Sequence, residues 1–131
     1  EYIDIVFKKA GVKEIVMTND PFDSDEVKVW QKGFERDKRF LAALRIDKLL
    51  NSWEEACLDL KSRGYDVTNE INSSTQKEIR RFLSEWIDRM NALYMAVSLP
   101  PSFRFPENSA RSEIIRSAFY LFREKRMFPL Q

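Results

Sequence analysis

Three apolar runs break off at polar clusters, and helical patterns lie between them. "EIVMTNDPFD" (14 to 23) stops at Thr18-Asn19-Asp20-Pro21, "FLAALRID" (40 to 47) at Arg45 and Asp47, and "LYMAVSLPP" (93 to 101) at Ser98. Strands separated by helices must pair in parallel, through right-handed crossovers. Parallel strands bring their carboxyl ends to one rim, so the residues at these breaks are expected at a shared mouth. Runs this apolar predict strands covered on both faces.

The intervening helices are read from period and caps. Ile3, Val6, Phe7 and Ala10 share one face of a helix over 2 to 10, with Gly11 as its stop. The first strand is predicted at 14 to 18. Asp23 and Glu26 have capping-box spacing before a short helix carrying Val27, Trp30 and Phe34. A second strand over about 40 to 45 precedes another box, Ser52 with Glu55, and a helix ending at Gly64. After the loop "YDVTNEINSS", Thr75 and Glu78 open a helix whose stripe is Ile79, Phe82, Leu83, Trp86, Ile87 and Met90. The third strand is placed at 93 to 98. A last helix, roughly 109 to 125, is expected to bury Ile114, Ile115, Ala118, Phe119 and Phe122, and "MFPLQ" reads as the start of a further strand.

The chain of 131 residues is long enough for one core. With 22 basic and 21 acidic side chains the net charge is +1, which supplies no field for a phosphate backbone, so no nucleic-acid partner is expected. There is no histidine, which removes the commonest neutral-pH base and metal ligand. The single cysteine, Cys57, lies on a helical pattern with Trp53 and Leu60 and reads as a small core residue. Trp30, Trp53 and Trp86 read as core too. No apolar run approaches a membrane span, and a reducing cytoplasm is the expected compartment. No glycine follows the first strand, against a nucleotide-binding doubly wound sheet. Opening inside a helix and stopping at the start of a strand, the chain reads as cut at both ends, with too few strands to close a barrel.

In "VMTNDPFD", "AALRIDKLL" and "FLSEWIDRMNALYMAVSLPPSFRFPE", and in the spacing between them, the chain resembles the uronate (glucuronate) isomerases, (β/α)8 barrels of the metal-dependent amidohydrolase superfamily. The resemblance runs over essentially the whole chain in one register. It implies an α/β fold in which residues 1–131 form a single segment of a TIM-type barrel: strands two to four, the helices after them, and the start of strand five. It implies an aldose–ketose isomerase that converts D-glucuronate to D-fructuronate and D-galacturonate to D-tagaturonate by moving a proton between C1 and C2. The implied cofactor is a divalent metal, zinc in most members, held by a His-x-His pair on strand one and an aspartate on strand eight. Those ligands, and the catalytic residues, fall outside this chain, which is expected to be inactive alone. The implied partners are a hexuronate, the rest of the barrel and an open choice of homo-oligomer.

By the same resemblance Arg45 binds the substrate carboxylate, a role suited to a planar guanidinium that can donate two parallel hydrogen bonds. The competing reading is a buried arginine paired with Asp47 or Asp20, and the two are compatible. Asp47 and Lys48 read as supports. Asn19 and Asp20 match an Asp-Asp-Pro signature with asparagine in first place; Asp20 is either an orienting group at the mouth or a turn former before Pro21. Many family members carry an Asp-His pair on strand four, where this chain has Ser98-Leu99-Pro100-Pro101, which marks a divergent branch. Ser98 either meets a sugar hydroxyl or satisfies nearby backbone. Phe103 and Phe105 either wall a pocket or pack their loop. Two other functions stay open: a different amidohydrolase-type activity on an acidic substrate, and a non-catalytic structural or binding segment.

Overall fold

The structure, a computed structural model, describes residues 2–33, 37–104 and 110–125. Phe34, Phe105 and the strand start expected at 127–131 lie outside the described residues, as does the side chain of Phe122.

Strands β1 (Ile15–Asn19), β2 (Phe40–Arg45) and β3 (Met95–Ala96) form one sheet in the order β1-β2-β3. Both pairings are parallel, as the alternation with helices requires; Ile15 lies opposite Phe40, and Arg45 opposite Ala96. β3 is shorter than the predicted 93 to 98. Its ladder runs from Leu93, whose N–H meets the Ala42 carbonyl at 2.9 Å, to Ala96, whose carbonyl accepts the Ile46 N–H at 3.0 Å. Beyond it the Ser98 N–H is taken by a side chain, Asp47, at 2.8 Å. Pro100 and Pro101 then have no N–H to pair.

Helix α1 (Tyr2–Ala10) buries Phe7 alone of its expected stripe, with Ile3 and Val6 exposed. Phe7 meets the Phe40 ring edge-on, with the Arg39 guanidinium 4.5 Å from its own ring centre. Asp23 caps α2 (Ser24–Lys32), accepting the N–H groups of Asp25 and Glu26. Glu26 does not close the box; its carboxylate reaches back to the Asp20 N–H at 2.7 Å.

After Ile46, β2 leads into a single helical turn that the sequence pattern did not predict, α3 (Asp47–Asn51), which buries Leu49 and Leu50. Helix α4 (Trp53–Ser62) follows after Ser52 alone. The capping box expected there does not form: the Ser52 side chain makes no cap bond, and its N–H closes α3 onto the Lys48 carbonyl.

Helix α5 (Ser73–Met90) starts two residues before the predicted Thr75, because Asn72 is the cap and accepts the Thr75 N–H at 2.9 Å. Thr75 is buried, and its hydroxyl oxygen accepts the Thr68 N–H. Glu78, expected with Thr75 at the helix start, accepts the Asp66 N–H. Asn91 ends α5 in the left-handed conformation at φ 49°, which asparagine tolerates better than most residues.

One core fills the space between the sheet and its helices. Ala42, Leu44 and Ile46 face Cys57 and Leu60 of α4, the whole predicted stripe of α5, and Ile114, Ala118 and Leu121 of α6 (Ala110–Lys125). Cys57 is a free, fully buried core residue, and Trp86 is buried, while Trp30 and Trp53 pack against the core half-covered. On α6, Leu121 takes the buried place expected of Phe119, which is 53% exposed. β1 corrects the expectation of two covered faces: Ile15, Val16 and Met17 are all exposed. Among the described residues it is an edge strand, with β2 on one side, and Phe7 of α1 packs on Phe40 of β2.

Candidate functional site at the carboxyl end of the sheet

Side chains alternate across a strand, so Arg45 at the end of β2 points away from the face carrying Ala42, Leu44 and the helical core. Its Nε donates to Asp47 Oδ2 at 2.9 Å. The side chain is 43% exposed. Among the described residues neither terminal nitrogen of the fork has a hydrogen-bond partner. The hydrogen bond and charge of Asp47 raise the Arg45 pKa further, with smaller help from the charges of Asp20 and Glu26. The result is a cation fixed at Nε and partly open to solvent.

Asp47 opens α3 and has both oxygens engaged. Oδ2 holds Arg45, and Oδ1 accepts the Ser98 N–H at 2.8 Å. Burial pushes the Asp47 carboxyl up, but hydrogen bonds from Arg45 and the Ser98 amide, with the Arg45 charge, outweigh it and leave the carboxyl below its ordinary value. Asn51, at the far end of α3, donates to the Ser98 carbonyl at 2.8 Å. The Ser98 backbone is thus held from both sides, while its exposed hydroxyl has no partner among the described residues.

The other expected residues divide. Asp20 forms a turn: its Oδ1 accepts the Phe22 N–H at 2.9 Å, and its carbonyl accepts the Asp23 N–H. It contributes its charge to Arg45 without a direct bond. Asn19 lies opposite Leu44 in the register, on the other face from Arg45, and its amide returns to the Met17 carbonyl. Lys48 points towards α4, 3.9 Å from Asp59. Phe103 lines an apolar recess of about 310 Å³ with Ile46, Met95, Val97, Leu99 and Phe119. That recess shares the Ile46 side of β2 and offers a polar ligand nothing to bond.

Sequence reasoning missed Asn51, Glu26 and Arg63, which hold Ser98, Asp20 and Pro21 in turn. Glu26 carried a signal, its three-residue spacing from Asp23, but the spacing pointed to the wrong amide. Asn51 and Arg63 act across 47 and 42 residues, where no local pattern exists.

No group of three or more His, Cys, Asp or Glu side chains that could hold an ion occurs among the described residues. The acids that bear on Arg45 each already accept a hydrogen bond: Asp47 from two donors, Asp20 from the Phe22 amide and Glu26 from the Asp20 amide. No helix among the described residues is long and apolar enough to cross a membrane.

The chain matches the crystal structure of a uronate isomerase from Bacillus halodurans C-125 with a TM-score of 0.91 and 46% sequence identity. This chain is similar to a segment of a uronate isomerase. The match covers 96% of this chain and 30% of that one, so the likeness to the uronate isomerase takes in essentially the whole sheet and its helices while spanning under a third of that enzyme's length. No family model and no curated protein sequence matches the chain.

Proposed function

We propose that the chain is part of a cytoplasmic uronate isomerase, built as a (β/α)8 barrel, in which Arg45 anchors the carboxylate of a hexuronate. One observation carries the reading: in a chain 46% identical to a uronate isomerase, the guanidinium at the end of β2 is fixed at Nε, and both terminal nitrogens are unbonded among the described residues. That geometry suits a planar anion received by two parallel hydrogen bonds.

The proposed reaction moves a proton between C1 and C2 of D-glucuronate or D-galacturonate, giving the corresponding ketose. The carboxylate is C6, at the other end of the sugar. Arg45 therefore binds a remote group and aligns the reacting carbons, which is how binding energy away from the chemistry serves it. Asp47 keeps the fork from rotating and ties β2 to the end of β3. In this reading the exposed hydroxyl of Ser98 meets a sugar hydroxyl. The divalent metal of this reading, zinc, takes its ligands from outside this chain, and the roles of Arg45, Asp47 and Ser98 do not depend on it.

The test is an assay of the full-length protein with D-glucuronate and D-galacturonate. Ketose formation from either is the expected result, and no ketose from both discards the isomerase reading.

A further inference from the structure

Behind the rim, four side chains lock the turn after β1 against α3 and α4. Arg63 lies just past the end of α4 and is mostly covered. Its Nε and one terminal nitrogen grip both oxygens of Asp59, at 2.6 and 3.3 Å. The other terminal nitrogen donates to the Pro21 carbonyl at 2.7 Å, across 42 residues of chain. Pro21 is fully buried, so its carbonyl needs a protein donor. Next along, the Phe22 ring has Arg63 5.5 Å and Lys48 5.4 Å from its centre, and it packs on Phe82 at 5.2 Å. Lys48 also approaches Asp59.

This clip adjoins the rim: Asn19 lies opposite Leu44 in the register, so Asp20 follows on beside Arg45, and Asp47, which holds Arg45, precedes Lys48. We propose that Arg63 is a positioning residue for the rim: through Pro21 and Phe22 it fixes the Asp20–Asp23 turn, and with it the Asp20 carboxylate, beside Arg45. The fork is needed because one nitrogen pair must grip Asp59 while a third reaches Pro21. A lysine ammonium cannot span both.

The kinetic part of this inference rests on the uronate reading; the part about the turn does not. In the full-length protein, R63M and R63K are compared with the parent by hydrogen exchange of the Asp20 and Phe22 amides and by kinetics on D-glucuronate. Loss of a charge-assisted hydrogen bond predicts about tenfold faster exchange at those two amides, with α5 amides unchanged. KM is expected to rise by roughly the same factor while kcat shifts little. R63K keeps the charge and is expected to show both effects; it carries the comparison if R63M does not fold. Unchanged exchange in the turn overturns the proposal, and so does a lowered melting temperature with unaltered KM, which leaves Arg63 a scaffold residue. A parent protein that makes no ketose sinks the uronate reading alone, and the exchange data then decide whether Arg63 fixes the turn.

Discussion

Asp47 accepts the backbone N–H of Ser98 at 2.8 Å, across 51 residues of sequence, while its second oxygen holds Arg45 Nε at 2.9 Å. A single carboxylate thereby fixes the ends of two parallel strands and the orientation of the cation between them. With Asn51 on the Ser98 carbonyl, the short helix α3 acts as a bracket at the rim.

Arg45→Met in the full-length protein removes both terminal nitrogen donors. Hydrogen bonds to charged groups are worth about 1.5–3 kcal/mol, so KM for uronates is expected to rise roughly tenfold or more. Steady-state kinetics on D-glucuronate check this, and unchanged constants would remove Arg45 from the site.

Asp47→Asn keeps a similar shape and an acceptor for one donor, but removes the charge. Its effect on KM is expected to be smaller than that of Arg45→Met, and the double variant should resemble Arg45→Met alone, because the carboxylate acts through the arginine. Full additivity in the cycle would mean that the two residues work separately.

The Asp47 carboxyl also sets a pH dependence. Its folded value lies below the ordinary one, so the unfolded chain binds the proton more readily. The pair therefore stabilises fully above the ordinary aspartate value of about 4, and the contribution fades as pH falls through the lower folded value. Melting temperatures of the full-length parent and D47N should differ most near neutral pH and converge in acid. A difference that grows in acid would reverse the assigned sign.

Legibility in the sequence followed the range of the interaction. The α5 stripe was readable because it depends on spacing within one helix, and all six of its apolar positions are buried. Parallel pairing was readable because helices between strands leave little alternative. The Ser52 box failed because the serine side chain makes no cap bond, and the α5 start was misplaced because Asn72 is the cap while Thr75 serves Thr68 and Glu78 serves Asp66. At the rim, the position of Arg45 was legible from where its apolar run ends. Its hold on Asp47 was legible as one of two options, Asp20 being the other. The Asp47–Ser98 and Asn51–Ser98 bonds were not, since they exist only once β2 and β3 lie side by side.

Tyr65 offers a spectroscopic test away from the rim. Its hydroxyl donates to Glu85, and the Arg81 guanidinium lies 4.4 Å from its ring centre. Burial, then the hydrogen bond and charge of Glu85, push the phenol up to about 12. Because the folded value is raised, this stabilisation is complete below the ordinary tyrosine value near 10 and is lost as pH rises through about 12. In an ultraviolet titration Tyr65 should ionise late, Y65F should delete that late step, and E85Q should move it towards the ordinary value. A Y65F curve that keeps the late step would assign it to another tyrosine.

The edge strand supplies the last prediction. Met17 is 50% exposed and stands with Ile15 and Val16 on a strand paired with β2 along one edge. Ile3, Ile5 and Val6 of α1 add further exposed apolar surface nearby in sequence. An apolar strand with an unpaired row of N–H and C=O groups is a template for another chain, and natural proteins suppress it with edge lysines. The 131-residue chain on its own should therefore self-associate with rising concentration. Val16→Lys and Met17→Lys each place a charge on that strand and should shift the association to higher concentration. Sedimentation velocity over a concentration series separates the outcomes. A monomer at every concentration, melting in one sharp transition, would show that β1 is protected without further covering.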